Sequence, residues 1–198
     1  MPRIRWTRDQ AATITEGDEI RGAILDGLPL AHVSLKECLL VDCSLEGADL
    51  ANANLASTVF RDCNLANARV AGARMFGARF ERSKLLGVDL SEVTDVTAIA
   101  FEECNLDYAN LRGLDLSHAA FNRCTLVEAD LALADLSHAS FRDADLTRLT
   151  LREARLDQTD LRGANLTGFS LKRDDLKGAI LSKRQIEDLA RDLGILVL

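Results

Sequence analysis

Large apolar residues recur at every fifth position along most of this chain. In residues 48–65, "ADLANANLASTVFRDCNL", the register is marked by Leu50, Leu55, Phe60 and Leu65. Two residues before each sits a small one: Ala48, Ala53, Thr58 and Cys63. The slot between holds Asp49, Asn54, Val59 and Asn64. A period of five fits neither the 3.6 of a helix nor the 2.0 of a strand. It marks a solenoid built from one short repeated unit. Upstream the register runs back through Leu45, Leu40, Leu35 and Leu30 to Leu25, and downstream it reaches Val70, Met75, Phe80, Leu85 and Leu90. It slips by one residue near Ser91–Asp95, then resumes at Val96 and holds to Leu181.

A second period lies above the first. Phe60, Phe80, Phe101, Phe121 and Phe141 are 20 residues apart, or 21 across the slip. Cys43 and Cys63, then Cys104 and Cys124, repeat that spacing, with Ser83 at the step between. Like residues recurring at every fourth pentapeptide predict four short sides per coil. Equal sides then stack, so the phenylalanines form one core ladder. The extra residue is absorbed inside one coil, as a bulge or turn. At a coil spacing of about 4.8 Å, about eight coils make a rod of roughly 38 Å.

The units "ADLAN", "CNLAN", "ANLRG" and "ADLTR" follow the pattern A/C-D/N-L/F-x-x. In this the chain resembles the pentapeptide-repeat family over roughly residues 20–181. The resemblance implies an all-β solenoid, a right-handed four-sided β-helix. Composition suits it: only Pro2 and Pro29 lack a backbone donor, and a single Trp and Tyr leave a narrow core of Leu and Ala. Neighbouring coils touch only each other, so both ends need caps.

The chain divides into an irregular segment over 1–19, the repeat region over 20–181, and a distinct ending over 182–198. Trp6 and Ile14 are placed to plug the open end of the first coil. Ser182 with Gln185 forms a capping box. Ile186, Leu189, Ala190 and Leu193 then make one apolar helix stripe, which predicts a C-terminal α-helix. Gly194 stops it, and Ile195, Leu196, Val197 and Leu198 follow. Apolar surface beyond what covers the last coil marks an interface, with a two-fold contact the commonest solution. In topoisomerase-protecting members of the family, such an ending makes a head-to-head homodimer, which is what the resemblance implies here. No secretory signal and no apolar run of membrane-spanning length is evident, so the expected location is the cytoplasm.

Charge is uneven. The chain carries 24 Lys/Arg against 31 Asp/Glu, a net −7. Between Asp89 and Asp145, twelve acidic residues face only Arg112, Arg123 and Arg142, a net of −9, while the remainder sums to +2. Over about three coils, that is one charge per roughly 1.6 Å of rod, against one per about 1.7 Å for duplex DNA. Asp95, Asp115 and Asp135 fall at equivalent positions of successive coils, as do Asp89, Asn110 and Asp130 on an adjoining side. Asp also suits turns and solubility, so two readings of this belt stand. Arg69, Arg74 and Arg79 form a basic strip ahead of it.

Two further groups carry candidate chemistry. All five cysteines sit at the small inward position, either as a metal or redox site or as small hydrophobes in place of Ala. No C-x-x-C pair is present. His118 and His138 occupy one slot in near copies, "LDLSHAAF" and "ADLSHASF". They read as a surface metal pair or Ser-His element, or as solvated imidazoles of a duplicated coil. No third ligand or orienting carboxylate is fixed by the sequence.

The repeat specifies a scaffold, with no phosphate loop, metal cluster or triad, so no enzyme and no cofactor is expected. The family resemblance, the belt and the C-terminal stripe together predict a DNA mimic that binds DNA gyrase, a type II topoisomerase, without touching nucleic acid or membrane. It would protect that enzyme from quinolones or a natural poison. The belt residues expected to meet the partner are Asp89, Asp95, Glu102, Asp115, Asp130 and Asp135. The alternative is a structural or protein-interaction scaffold with an unrelated partner.

Overall fold

Each pentapeptide makes one side and one corner of a coil. The side places its centre residue inward, and the corner is a tight turn. At Leu45 the turn closes with Ala48 N–H donating to the Leu45 carbonyl at 3.0 Å. The third turn residue takes positive φ, as at Gly47, Asn52 and Asp62. A positive φ at the third position with none at the second is the pattern of a type II turn. Arg123, Tyr108 and Leu133 adopt it as well. The computed structural model describes residues 3–168 and 176–192.

Neighbouring coils are joined by parallel backbone ladders. One side carries a six-stranded parallel sheet in the order β2 (Glu19–Arg21), β4 (Leu39–Val41), β5 (Val59–Arg61), β6 (Arg79–Glu81), β7 (Ala100–Glu102) and β8 (Ala120–Asn122). Its register puts Phe60 on Phe80, Phe80 on Phe101 and Phe101 on Phe121. These rings and Phe141 stack with centroids 4.7–5.1 Å apart. Strands mark six levels, against the expected eight or so coils. Beyond them single bridges take the same side on through Ser140 and Asp160 to Ile180. Among the described residues the coils on the other three sides are joined by single bridges, such as Asp49↔Arg69↔Asp89.

The core is the ladder of centre residues with the small residues two positions earlier. Leu25, Leu40, Leu55, Phe60, Leu106 and Leu136 are wholly buried, and so are Ala48, Ala53 and Ala139. At one coil the extra residue is Asp95, with φ 49°. The Met75 N–H is shared there between the Thr94 and Asp95 carbonyls, each at 3.2 Å. Two residues oppose one, which is a bulge. It lies at the end of the interval where the phase slips.

Both ends carry other elements. β1 (Ile4–Arg5) pairs with β3 (Ala23–Ile24). The short helix α1 (Arg8–Ala11) is opened by a capping box of Thr7 and Gln10. Trp6 and Ile14 are half-buried against the core, and Ala11 is buried. At the far end α2 (Lys183–Asp192) follows the cap of Ser182 and Gln185. The Gln185 amide also donates to the Leu161 and Ala164 carbonyls at 2.7 and 2.9 Å, tying the helix to the last coils.

Candidate protein-binding surface

The outward slot just before each centre residue carries the belt. An aspartate there uses one oxygen on its own corner. Asp89 accepts from Ser91 N–H at 2.9 Å, Asp115 from Ser117 at 3.1 Å, Asp130 from Ala132 at 2.8 Å and Asp135 from Ser137 at 3.0 Å. Asparagine makes the same bond at Asn54, Asn64 and Asn110. The turn therefore uses an oxygen where the slot offers one, closes equally after Arg69, Arg74 and Lys84, and does not need a charge. The second carboxylate oxygen is left to face solvent, an arginine or a partner.

The ladder brings Asp115 beside Asp135 and continues to Arg155. On the adjoining side it runs Arg69, Asp89, Asn110, Asp130 and Thr150. Asp95 stands apart in the bulge, and no bridge joins it to Asp115 among the described residues. Glu102 lies on β7, paired in register between Glu81 and Asn122. The six expected residues are thus spread over three sides of the rod.

Internal arginines neutralise half of them. Glu102 pairs with Arg123, Asp130 with Arg112 at 3.6 Å, and Asp135 with Arg155 at 3.0 Å. Asp89, Asp95 and Asp115 form no ion pair among the described residues. Partial burial pushes the Asp89 carboxyl up. Hydrogen bonds from Ser91 and Asn110 outweigh that and hold it below the ordinary carboxylate range, so it is charged at neutral pH. The arginine partners escaped the sequence reading, although spacing could have found them. Arg123, Arg148 and Arg155 each follow their carboxylates Glu103, Glu128 and Asp135 by one coil of 20 residues.

The histidines and cysteines take well-defined places. His118 and His138 stack in consecutive corners, with ring centroids 4.9 Å apart and planes 7° from parallel. Among the described residues no group of three or more His, Cys, Asp or Glu is gathered as a metal centre. All five cysteines are buried and free. The Cys63 and Cys124 thiols are pushed up, first by the hydrogen bond to the thiol one coil away and then by burial. On α2, Leu189 is half-buried against the core while Ile186 is exposed. Leu193, Ile195, Leu196, Val197 and Leu198 lie outside the described residues. Among the described residues no helix is long and apolar enough to cross a membrane.

Comparison with known proteins fits this architecture. The profile for a pentapeptide repeat region matches residues 21–90. The profile for eight copies of pentapeptide repeats matches 99–132, 129–168 and 144–182. No curated protein matches the chain significantly in sequence. Full-length QnrB1, a plasmid-mediated fluoroquinolone resistance protein, superposes with a TM-score of 0.66 at 19% identity, covering 96% of this chain and 95% of its own. HetL, a pentapeptide-repeat protein involved in heterocyst differentiation regulation from the cyanobacterium Nostoc sp. strain PCC 7120, superposes with a TM-score of 0.66 at 28% identity, covering 89% and 95%. By its repeat, its stacked four-sided coils and these matches, the chain belongs to the pentapeptide-repeat family.

Proposed function

We propose that this chain is a non-enzymatic DNA mimic that binds DNA gyrase, a type II topoisomerase, in the cytoplasm and protects it from quinolones or a natural poison. One observation carries the reading. Corners form with asparagine in the outward slot and also with arginine or lysine there, so the charge of Asp89 and Asp115 is surplus to the fold. Such carboxylates can replace phosphates on a basic DNA-binding surface, with binding that weakens as salt rises. The fold of QnrB1, a fluoroquinolone resistance protein, agrees with this reading. The exposed Ile186 and the apolar residues after Asp192 would join two rods end to end as a homodimer.

The test is gyrase supercoiling titrated with this protein, with and without a quinolone, at low and high salt. Inhibition or drug rescue that fades with salt is expected. It should be lost in Asp89/Asp95/Asp115→Asn, which keeps the corner oxygens, and retained in Glu102→Gln, whose charge is already matched by Arg123. No effect of the wild-type protein at all would remove the gyrase reading.

A second reading is a protein-interaction scaffold with an unrelated partner. The observation favouring it is the internal pairing of Glu102, Asp130 and Asp135, which removes half the expected contact charges. The likeness to HetL, named for a role in regulating differentiation, agrees with it. Salt-indifferent capture of a partner other than a topoisomerase would favour this second reading.

A further inference from the structure

One coil is cationic all the way round. Its four outward slots are Arg69, Arg74, Arg79 and Lys84, one on each side and all exposed. Elsewhere on the rod the fold pairs its outward arginines with a carboxylate about one coil away, as in Arg61–Glu81, Arg82–Asp62 and Arg155–Asp135. Arg74, Arg79 and Lys84 make no ion pair among the described residues, and Arg69 reaches Asp49 only at 4.0 Å. The ladder gives the reason. Arg74 lies between Asn54 and Thr94, Arg79 between Val59 and Ala100, and Lys84 between Asn64 and Asn105. None of these neighbours is a carboxylate.

Between Arg74 and Arg79 stands Phe76, an aromatic ring at a corner and 46% exposed. Its carbonyl accepts from Ser57 N–H at 2.7 Å, and Gly77 N–H donates to the Thr97 carbonyl at 2.8 Å. That register puts Ala56 in the coil below Phe76 and Thr97 in the coil above. Both are too small to cover the ring. Two unpaired guanidiniums therefore flank an uncovered aromatic side chain.

We propose that the Arg74–Phe76–Arg79 corner is a docking site for an acidic segment of a protein partner. Carboxylates of the segment take the two guanidinium forks, which match them in geometry. An apolar side chain of the segment packs on Phe76, as aromatic anchors do in interface centres. Charge complementarity selects an anion. The neighbouring belt selects which kind: net −9 begins one coil on, at Asp89 beside Arg69, and at about 4.8 Å per coil this is inside a Debye length of about 8 Å. A continuous phosphate chain is repelled at that range, whereas a segment with a few carboxylates meets only the corner. This site is opposite in sign to the belt and does not rest on the topoisomerase reading.

Fluorescence anisotropy with three labelled probes of equal charge tests the proposal on the full chain. The probes are a peptide alternating Glu with Phe and Leu, a peptide alternating Glu with Gly, and oligo-dT. The apolar acidic peptide should bind tightest and weaken with salt. It should lose at least about tenfold in Arg74→Glu/Arg79→Glu and lose its advantage over the Glu/Gly peptide in Phe76→Ala. Unchanged thermal unfolding of both variants keeps the comparison valid, since all three side chains face outward. Tighter binding of oligo-dT through the same residues would make this a nucleic-acid site and overturn the proposal. So would equal binding of the two peptides, indifference to the double substitution, or no binding of any probe.

Discussion

Phe80 stacks on Phe101 with ring centroids 5.1 Å apart and planes 10° from parallel, although 21 residues separate them instead of 20. The pair Phe60 and Phe80, in regular register, lies at 5.0 Å and 3°. The extra residue is thus spent at the Asp95 corner before the chain returns to the sheet. The core ladder sets the geometry, and the surface accommodates the irregularity.

Cutting that ladder should be costly. Phe101 is wholly buried between two rings, so Phe101→Ala opens a cavity that flanking coils cannot fill without moving. A loss of about 3–5 kcal/mol is expected in denaturant unfolding. Phe101→Leu keeps most of the volume, and Leu40 already fills the same column, so a loss of about 1–2 kcal/mol is expected. Equal losses for both variants would show that stacking, not volume, is the main contribution.

The corners offer a paired test in one column. Gly113 has φ 71° with open space where a Cβ would stand, and Leu133, one coil on, has φ 64°. The left-handed conformation disfavours any side chain by about 1–2 kcal/mol, partly offset by the entropy a glycine loses on folding. Leu133→Gly should therefore stabilise the rod by about 0.5–1 kcal/mol, and Gly113→Ala should destabilise it by a similar amount. Thermal unfolding of the two variants reads both signs.

These corners also mark where sequence reading stops. The inward positions were legible because burial at a fixed period filters residue type: Leu, Phe and Met at the centre, Ala, Cys and Thr two before. Tyr108, Arg123 and Leu133 carry no comparable mark, because the ladder above and below imposes their left-handed backbone against their own preference. The belt was legible as a count of charges. Its division into paired Asp130 and Asp135 and unpaired Asp89 and Asp115 was legible only in part: the 20-residue spacing marks Arg155 with Asp135, while Arg112 reaches Asp130 from an earlier corner, off that spacing. The bulge was confined to Ser91–Asp95 by the register, while its place at Asp95 follows from the Met75 N–H reaching two carbonyls.

Gln185 joins helix and rod through one amide. Its oxygen accepts from Ser182 N–H at 2.9 Å, and its nitrogen donates to two carbonyls of the last coils. Gln185→Ala leaves those acceptors unmatched and should cost about 1–2 kcal/mol. Gln185→Glu should cost more, because a carboxylate has no proton to give and faces two carbonyl oxygens. Hydrogen exchange at Leu161 and Ala164 should quicken in both, with exchange at Phe60 unchanged.

Asp160 links stability to pH. Its carboxylate lies between two guanidiniums, accepting from Arg162 Nε at 2.9 Å and from Arg142 Nε at 2.5 Å, with only 13% of the side chain exposed. Arg162 first, and then Arg142, hold the carboxyl well below the usual range against the opposing effect of burial. A carboxyl whose folded pKa lies below its unfolded value of about 3.9 stabilises the fold at every pH above that value. The contribution is lost as pH falls from there toward the folded pKa, because the folded state must then take up the proton last. Asp160→Asn should therefore melt lower than wild type by a constant margin between about pH 5 and 8, worth about 1–2 kcal/mol for hydrogen bonds to a charged group. Below about pH 4 the two curves should converge. A margin that persists undiminished at about pH 2 would show that the carboxylate contributes through shape and neutral hydrogen bonds, not through its charge.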